Sequence, residues 1–327
     1  MPRLRRAASA LVPVLLIPAL VACGGTKTGY GDKTASGFDA VSISGDVGKK
    51  PSLTWKAALA YPSTMSVRTL VKGSGVAVTP ASDGGKGALA ELYIGDGTTE
   101  AKDWGYSSAQ PEAIATSMGD VFKQLLDGAR VGDRRAVIAK SEDVFGSGDA
   151  SQYGIGNHDA LVVVADIVAD PTPKDVSASK LPRLQQKGGK PSGFSFSGVS
   201  KPSADGSLLR AVVKKGTGKT VTQDMTVTAN YLGMTYGASK PFDESYSAKP
   251  VPFPLANVVP GWTYGLEGLK VGSRVLLQIP PALGYGAKAQ KPNAKGHAGI
   301  PANSTLYFVI DIVSAKKTPA SSSTQGQ

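Results

Sequence analysis

The sequence predicts an α+β protein with two similar domains, each a curved antiparallel sheet wrapped around one short helix. Chain length, an internal repeat and the distribution of strand-forming residues support this prediction. About 300 of the 327 residues remain after an amino-terminal leader, which is the length of two ordinary domains. Runs of Val, Ile, Thr and aromatic residues bounded by Gly or Pro occur in both halves and favour strands over helices.

The first 23 residues have the pattern of an export signal. Three arginines precede an apolar stretch, residues 7–22, which Pro13 and Pro18 interrupt. A transmembrane helix needs about 20 consecutive apolar residues, so this stretch favours a cleaved signal over a permanent membrane span.

The signal closes on Leu20-Val21-Ala22-Cys23, which resembles the lipobox of bacterial lipoproteins. The resemblance implies that Cys23 becomes the first residue of the mature chain and that its thiol carries diacylglycerol. Two or three acyl chains hold a protein stably on a membrane, whereas one chain holds it only marginally. We therefore expect an exported protein, lipid-anchored on the extracytoplasmic face of the cell membrane. An ordinary secretory signal with an incidental cysteine is the alternative.

Composition argues against several kinds of chemistry. Cys23 is the only cysteine, so no disulfide forms within the molecule and no other thiol is available for catalysis. His158 and His297 have no ligand-like spacing, and we expect no metal and no cofactor. Removing the three leader arginines lowers the formal charge from +11 to +8. The scattered lysines favour plain solubility or contact with anionic lipid headgroups and wall polymers, and no nucleic-acid partner is expected.

Five segments recur in order along the chain and indicate a duplicated domain. The offset between the copies stays between 138 and 145 residues, too long for a solenoid of short repeats. The chain therefore divides into two copies near its middle. The matching segments are residues 50–52 and 190–192, 71–75 and 214–218, 93–95 and 231–233, 126–134 and 266–274, and 165–168 and 310–313.

Three segments rich in Gly, Ser, Thr, Pro or Lys carry few apolar residues, as tethers and linkers do. They set the predicted domain boundaries. The predicted order is a signal peptide (1–23), a flexible tether (24–37), a first domain (38–170), a linker (171–179), a second domain (180–316) and a disordered tail (317–327).

Strands dominate the predicted secondary structure. An added edge strand is expected in the segments that open the two domains, residues 38–65 and 180–206. In the second domain, runs of Val, Leu, Ile, Thr and aromatic residues predict strands over residues 207–214, 225–232, 274–279 and 305–314.

One short helix is predicted in each domain. Trp262, Leu266 and Leu269 fall at i, i+4 and i+7, on one helical face. A helix of two or three turns is marginal alone and must be held by packing, which a sheet curved around it provides. The same stripe occurs 140 residues earlier, at Phe122, Leu126 and Ala129.

Four short motifs and a final strand in the second domain describe an apolar cup. Aromatic side chains, an acid and proline-flanked turns alternate through them. Their order and spacing resemble the FKBP-type peptidyl-prolyl cis-trans isomerases over roughly the last third of the chain. The motifs are Asn230-Tyr231-Leu232-Gly233, Pro241-Phe242-Asp243-Glu244-Ser245, Val258-Val259-Pro260-Gly261-Trp262 and Leu283-Gly284-Tyr285-Gly286, followed by residues 305–313.

An apolar cup suits the isomerisation of a bond that precedes proline. The barrier to rotation is about 18–20 kcal/mol, and the uncatalysed step takes tens of seconds. The planar imide is more polar than the twisted one, so removing water and holding the twisted form lowers the barrier without a nucleophile. The resemblance implies a peptidyl-prolyl isomerase that acts on proline-containing exported polypeptides and has macrolide immunosuppressants as possible ligands.

The resemblance also implies a role for each side chain of the cup. Trp262 would form the floor under the proline ring. Tyr285 would donate its hydroxyl hydrogen to a substrate carbonyl, and the N–H of Val259 would make a second such contact. Asp243 would face the pocket and accept a hydrogen bond from Tyr231. The remaining walls, rim and flap would consist of Phe242, Phe253, Phe308, Val258 and Ile300.

The first domain lacks several of these groups when the copies are aligned by motif. The acid and the carbonyl donor are both missing, so we expect little or no isomerase activity from it. It would grip clients or space the second domain from the membrane. In this alignment Tyr93 stands for Tyr231, Trp104 for Phe242, Gly105 for Asp243, Phe122 for Trp262 and Phe145 for Tyr285.

Two other functions remain open. Aromatic residues in a strand-rich domain belong to the core more often than to a site. Both domains could therefore act as a membrane-anchored chaperone or scaffold with little isomerase activity. The joint occurrence of the aromatics around turns favours catalysis.

Overall fold

The computed structural model describes residues 33–96, 102–104, 111–146, 155–156, 158–292 and 298–318. These residues form two compact units, the first ending at Asp170 and the second beginning at Pro171. The predicted leader with its lipidation site Cys23 lies outside the described residues, as do His297 and most of the predicted tail. Within the described ranges, no helix is long and apolar enough to cross a membrane.

The first unit consists mainly of short strands. Six of them form an antiparallel sheet, two form a separate antiparallel hairpin, and two pair in parallel. The strands are β1 (Thr34–Ala35), β2 (Val41–Ser44), β3 (Ser52–Trp55), β4 (Ala58–Leu59), β5 (Ser66–Val71), β6 (Ala88–Asp96), β7 (Lys102–Trp104), β8 (Glu112–Ile114), β9 (Arg134–Lys140) and β10 (Ala160–Ala169). The helices are α1 (Asp120–Leu126) and α2 (Ser141–Phe145). The large sheet has the order β5-β9-β10-β6-β7, with β8 also paired to β6.

The second unit has a seven-stranded sheet, a separate hairpin and one α-helix among its described residues. Its strands are β11 (Lys174–Asp175), β12 (Arg183–Lys187), β13 (Lys190–Ser195), β14 (Leu209–Lys214), β15 (Met225–Thr235), β16 (Asp243–Glu244), β17 (Val251–Pro254), β18 (Arg274–Ile279) and β19 (Leu306–Lys317). The helix is α3 (Pro260–Leu266). The sheet has the order β11-β14-β18-β19-β15-β16, with β17 also paired to β15. This strand-dominated architecture with few helices agrees with the predicted α+β class.

The two large sheets share one strand order, apart from β11, which only the second sheet has. The same arginine–aspartate pair marks the register in both. Arg134 on β9 lies opposite Asp166 on β10, and Arg274 on β18 lies opposite Asp311 on β19. These two pairs allow the strands of the units to be compared residue by residue.

Several expected boundaries differ in the structure. Lys174 and Asp175, inside the predicted linker, pair with β14 and belong to the second sheet. The side chain of Arg210 holds this short strand by two hydrogen bonds to Asp175, at 2.7 and 3.1 Å. Residues 34–35, inside the predicted tether, form β1.

The expected edge strands are wrong, because the opening segments form the separate hairpins β2–β3 and β12–β13. These hairpins cover the sheet face opposite the helix in their own unit, where their apolar residues join a buried cluster. Leu269 and Ala129 lie beyond the ends of α3 and α1, because Gly268 and Gly128 adopt positive φ and end each helix.

Helix α3 packs closely against its sheet through two glycines. A Cβ atom on Gly261 would lie 2.3 Å from a side-chain carbon of Ile279, and one on Gly265 would lie 2.8 Å from Leu277. Large residues on β18 therefore fill the space that small residues on α3 leave. This close approach holds Trp262, between the two glycines, at a fixed height above the sheet.

In the first unit the larger side chains lie on the helix, α1, and the smaller ones on the facing strand. Val121 and Leu125 take the positions of the two glycines and are fully buried. The facing residues on β9 are Val137 and Ala139, each smaller than its counterpart on β18. The larger side chains of this contact therefore lie on the helix in the first unit and on the facing strand in the second.

Candidate active site

Five aromatic residues of the second unit, Trp262 and four others, pack together on one face of the sheet, and we call this set the aromatic cup. The indole of Trp262 meets three other rings edge to face, at centroid distances of 5.5 Å to Tyr231, 5.2 Å to Phe253 and 5.3 Å to Phe308. Phe242 joins through Phe308 at 5.5 Å. These separations lie in the favourable range for aromatic pairs, so the rings hold one another in fixed orientations.

The alternation of β15 explains why these rings meet. Successive side chains of a strand point to opposite faces, so Tyr231 and Gly233 share the face that packs on α3. Gly233 lies opposite Phe308 on β19. A Cβ at this position would lie 2.5 Å from both Phe242 and Phe308, so only glycine leaves room for the two rings.

Asp243 and Tyr231 form the polar element of the cup. The Tyr231 hydroxyl donates a hydrogen bond of 2.6 Å to Oδ2 of Asp243, whose Oδ1 accepts one from the N–H of Glu244. Burial raises the pKa of Tyr231, and the neighbouring Asp243 and Tyr285 raise it further. The Tyr231 phenol therefore remains protonated at neutral pH and keeps its hydrogen bond to the carboxylate.

Ser245 fixes the backbone that carries this pair. The Tyr231 N–H donates to the Ser245 hydroxyl at 3.0 Å, and the Ser245 N–H donates to the Tyr231 carbonyl at 2.9 Å. Ser245 is fully buried. β16 pairs with β15 at only two positions, Leu232 with Glu244 and Gly233 with Asp243. The Ser245 hydroxyl extends this pairing by one residue, because it accepts the hydrogen bond of the next β15 amide.

Tyr285 lies in a tight turn that follows a one-turn 3₁₀ helix, Pro281–Leu283. Gly286 adopts a φ of 57° and donates its N–H to the carbonyl of Pro281 at 2.8 Å. Tyr285 itself is half-buried. Tyr285 is one of the neighbouring groups that raise the pKa of Tyr231, after burial and Asp243.

Val258, Val259 and Ile300, the expected rim and flap residues, are buried. Val259 is the N-cap residue of α3, so its N–H has no acceptor within the helix. Ile300 and Gln290 exchange two backbone hydrogen bonds of 2.8 Å, both inside the loop 287–301 that the family resemblance predicts as a flap. The central part of the flap, residues 293–297, lies outside the described residues.

The cup is suited to binding an apolar group and not to nucleophilic chemistry. The five cup residues are aromatic, and the Tyr231 hydroxyl among them donates to Asp243. Trp262 is 3% exposed, and its Nε1 donates no hydrogen bond to any residue that the structure describes. The indole is therefore held in place by its packing against the other rings and lies in apolar surroundings.

The strand register corrects the alignment of the two copies by one residue. Asp166 lies opposite Glu91, and Asp311 lies opposite Asn230. Leu92 therefore takes the position of Tyr231, whereas Tyr93 takes that of Leu232 and faces the opposite side. There the Tyr93 ring packs in the cluster beneath β2 and β3.

The same correction applies to the acid. Trp104 pairs with Ile94, whereas Asp243 pairs with Gly233. Since Ile94 corresponds to Gly233, Trp104 stands at the position of Asp243 and not of Phe242. Gly105 lies outside the described residues.

Aliphatic side chains occupy the first unit where the second has its cup. Leu92 and Ile94 are buried in one cluster with Phe122 on α1 and Val163 on β10, the residue that corresponds to Phe308. Phe145, at the end of α2, is half-buried against this cluster. A branched side chain at position 94 fills the space that Gly233 leaves in the second unit.

Ser245 and Gly233 are site-forming residues that occur in the quoted motifs but received no role from the sequence. The alternation of β15 was a usable signal for Gly233, because it places the residue on the face of Tyr231. The motif contains Ser245 but gives no sign of its role, which depends on a hydrogen bond between residues 14 positions apart.

Residues 217–313 match the family model of the FKBP-type peptidyl-prolyl cis-trans isomerases. The FKBP-type peptidyl-prolyl cis-trans isomerase FkpA of Escherichia coli K12 is 42% identical over 113 residues, which are 34% of this chain and 39% of that protein. A probable FKBP-type isomerase of Haemophilus influenzae is 27% identical over 68% of this chain and 88% of its own.

The crystal structure of FkpA from Escherichia coli has a TM-score of 0.31 and 39% identity, over 36% of this chain and 52% of that one. The match to the family model covers the part of the chain that contains the aromatic cup. Residues 217–313 of this chain are an FKBP-type peptidyl-prolyl cis-trans isomerase domain.

Proposed function

We propose that the chain is a peptidyl-prolyl cis-trans isomerase whose catalytic site is the aromatic cup of the second unit. The observation that carries this proposal is the edge-to-face ring cluster around Trp262, with the Tyr231–Asp243 pair at its margin.

The mechanism follows from the polarity of the imide. A proline ring on Trp262 brings its preceding bond among aromatic walls, where the planar form loses its hydration. The twisted form is less polar and loses less hydration energy, so its free energy relative to the planar form falls. Donors at Tyr285 and Val259 hold the carbonyls on either side and fix the rotation. Asp243 orients Tyr231, which keeps the wall beside the floor in place.

The first unit is proposed to have little or no isomerase activity. The positions of Tyr231 and Gly233 hold Leu92 and Ile94, and the position of Asp243 holds Trp104. A proline ring would find this space filled by the unit's own aliphatic residues. Its role is then to hold clients or to space the second unit from its anchor.

Export and a lipid anchor at Cys23 complete the proposed function. Support comes from the arginine-led apolar leader that closes on Leu20-Val21-Ala22-Cys23. The substrates would be newly exported, unfolded chains, in which about 10–30% of X-Pro bonds are cis. Macrolides that occupy the cup would act as competitive ligands.

Tyr285→Phe is expected to reduce kcat/KM for a Leu-Pro peptide about 3- to 10-fold. The change removes one hydrogen bond, worth about 0.5–1.5 kcal/mol, from the bound twisted imide. Protease-coupled isomerisation on the chain without residues 1–23 measures it. Tyr236→Phe is the matched control, because the Tyr236 hydroxyl bonds to the carbonyl of Val199 outside the cup.

Equal losses in the two variants would contradict the role given to Tyr285. The same pair separates catalysis from client binding. If Tyr285→Phe lowers peptide isomerisation but leaves assisted refolding of a proline-containing protein unchanged, the chain works mainly as a binding chaperone.

A further inference from the structure

The positive charge of the protein is concentrated in one part of the chain. Residues 171–327 carry 19 of the 36 Lys and Arg residues but only 7 of the 25 Asp and Glu residues. Their formal charge is therefore +12, whereas residues 1–170 sum to −1. Solubility alone does not require such asymmetry between the units, and strong local charge attracts partners of opposite sign.

One segment of the second unit carries cations without any acid. Residues 176–204, which contain the β12–β13 hairpin, include five Lys or Arg residues and no Asp or Glu. Arg183 and Lys187 on β12 are both exposed. The hairpin covers the sheet face opposite the aromatic cup, so this charge lies away from the catalytic site.

A cleft of about 730 Å³ opens between this hairpin segment and the end of β14; we call it the basic cleft. Arg183, Lys214 and Arg274 line it, and no acidic residue does. Arg274 is already paired with Asp311, at 2.6 Å. The exposed side chains of Arg183 and Lys214 thus remain for a ligand.

The lower wall of the basic cleft is apolar. Leu181 and Leu276 line it and are 5% and 3% exposed, beside the half-buried Leu184. Cations at the rim and leucines below fit a ligand that carries carboxylates next to apolar side chains. A flat bilayer would touch the rim without reaching the leucines.

The cleft also adjoins a sheet edge. Backbone pairing along this edge of β14 ends at Arg210, whose carbonyl accepts a hydrogen bond from the Val176 N–H just after β11. No strand in the described part of the chain pairs with the outer side of residues 211–214 of β14. Val213 and Lys214, at this edge, line the cleft. An extended chain can use such an edge by strand addition.

We propose that the basic cleft is a second docking site, which binds an extended acidic polypeptide segment of a client separately from the aromatic cup. The idea that this client is also a substrate rests on the proposed isomerase function. Docking at the cleft would hold an acidic unfolded chain while its prolyl bonds enter the cup on the other face of the sheet.

Binding of a labelled, proline-free peptide in which Glu alternates with Leu and Thr tests this proposal by fluorescence anisotropy. The double variant Arg183→Glu/Lys214→Glu is expected to weaken binding about tenfold, because two attractions become repulsions. High salt should weaken binding to the wild type. Lys270→Glu/Lys316→Glu is the matched control: it makes the same charge change at exposed residues that do not line the cleft.

Three outcomes would overturn the docking site: equal weakening in the control variant, no binding of the peptide, or binding to phosphatidylglycerol vesicles with none to the peptide. A Leu-Pro tetrapeptide, too short to reach the cleft, reports on the cup separately. Its isomerisation should be unchanged in Arg183→Glu/Lys214→Glu. If the wild type does not accelerate isomerisation of the tetrapeptide, the proposed isomerase function is wrong, but the peptide-binding measurement still tests the docking site.

Discussion

Trp262→Ala is expected to lower kcat/KM for a Leu-Pro peptide by at least about 100-fold, equivalent to about 2.7 kcal/mol of transition-state stabilisation. The indole is 3% exposed and is the only ring of the cup that contacts Tyr231, Phe253 and Phe308 together. Its removal takes away the floor and also costs about 3–5 kcal/mol of unfolding free energy through the cavity left behind. Protease-coupled isomerisation and urea unfolding measure the two effects.

The control for Trp262→Ala is Phe196→Ala, on the opposite face of the sheet. Phe196 packs edge to face on Tyr236 and Tyr307, at 5.4 and 5.2 Å. Its loss should lower stability while the remaining folded protein keeps its activity. Comparable activity loss per folded molecule in the two variants would show that catalysis follows general stability and not the floor of the cup.

Arg134→Met is expected to lower the unfolding free energy of the first unit by about 3–5 kcal/mol. Arg134 and Asp166 are each 1% exposed and share two hydrogen bonds, of 2.6 and 2.7 Å. The guanidinium also donates to the carbonyls of Gly45, Asp46 and Lys49, so it joins a loop to the sheet. Removing it deprives a buried carboxylate of its cation. Hydrogen exchange at the amides of β10 measures the loss in this unit alone.

The corresponding pair in the second unit provides the comparison. The side chains of Arg274 and Asp311 are 27% and 24% exposed, so Arg274→Met should cost only about 1 kcal/mol. The double variant Arg134→Met/Asp166→Leu should recover part of the stability lost in the single one, since no unpaired charge remains buried. A loss below about 1 kcal/mol in Arg134→Met would contradict this account.

Much of the second unit follows from its sequence. The strand over residues 274–279 coincides with β18, and the apolar stripe places Trp262 and Leu266 on α3. The hairpins were not predicted, because β12 is mostly polar and lacks the β-branched runs of the large sheet. Gly188 and Gly189 form the two-residue turn between Lys187 and Lys190 and both have positive φ, a hairpin signal that was available.

The comparison of the two copies shows that matching short motifs does not fix which residues are structurally equivalent. Tyr93 and Tyr231 align in sequence, since each lies two residues before a glycine. In the structure Tyr231 lies on the helix-facing side of its sheet, whereas Tyr93 lies on the side away from the helix. A slip of one residue moves a side chain to the other face, and only the ladder between paired strands fixes it. The offset is 140 residues at Arg134 and Arg274 but 145 at Asp166 and Asp311, so residues were inserted between these anchors. The sequence does not say where.

Isomerisation of a Phe-Pro peptide by the chain without residues 1–23 tests the central claim most directly, with the double variant Trp262→Ala/Tyr285→Phe beside it. The aromatic cup of the second unit predicts clear acceleration by the wild type and a rate at the uncatalysed level in the variant, because the first unit has no cup of its own. No acceleration by the wild type, or full activity in the folded variant, would contradict it.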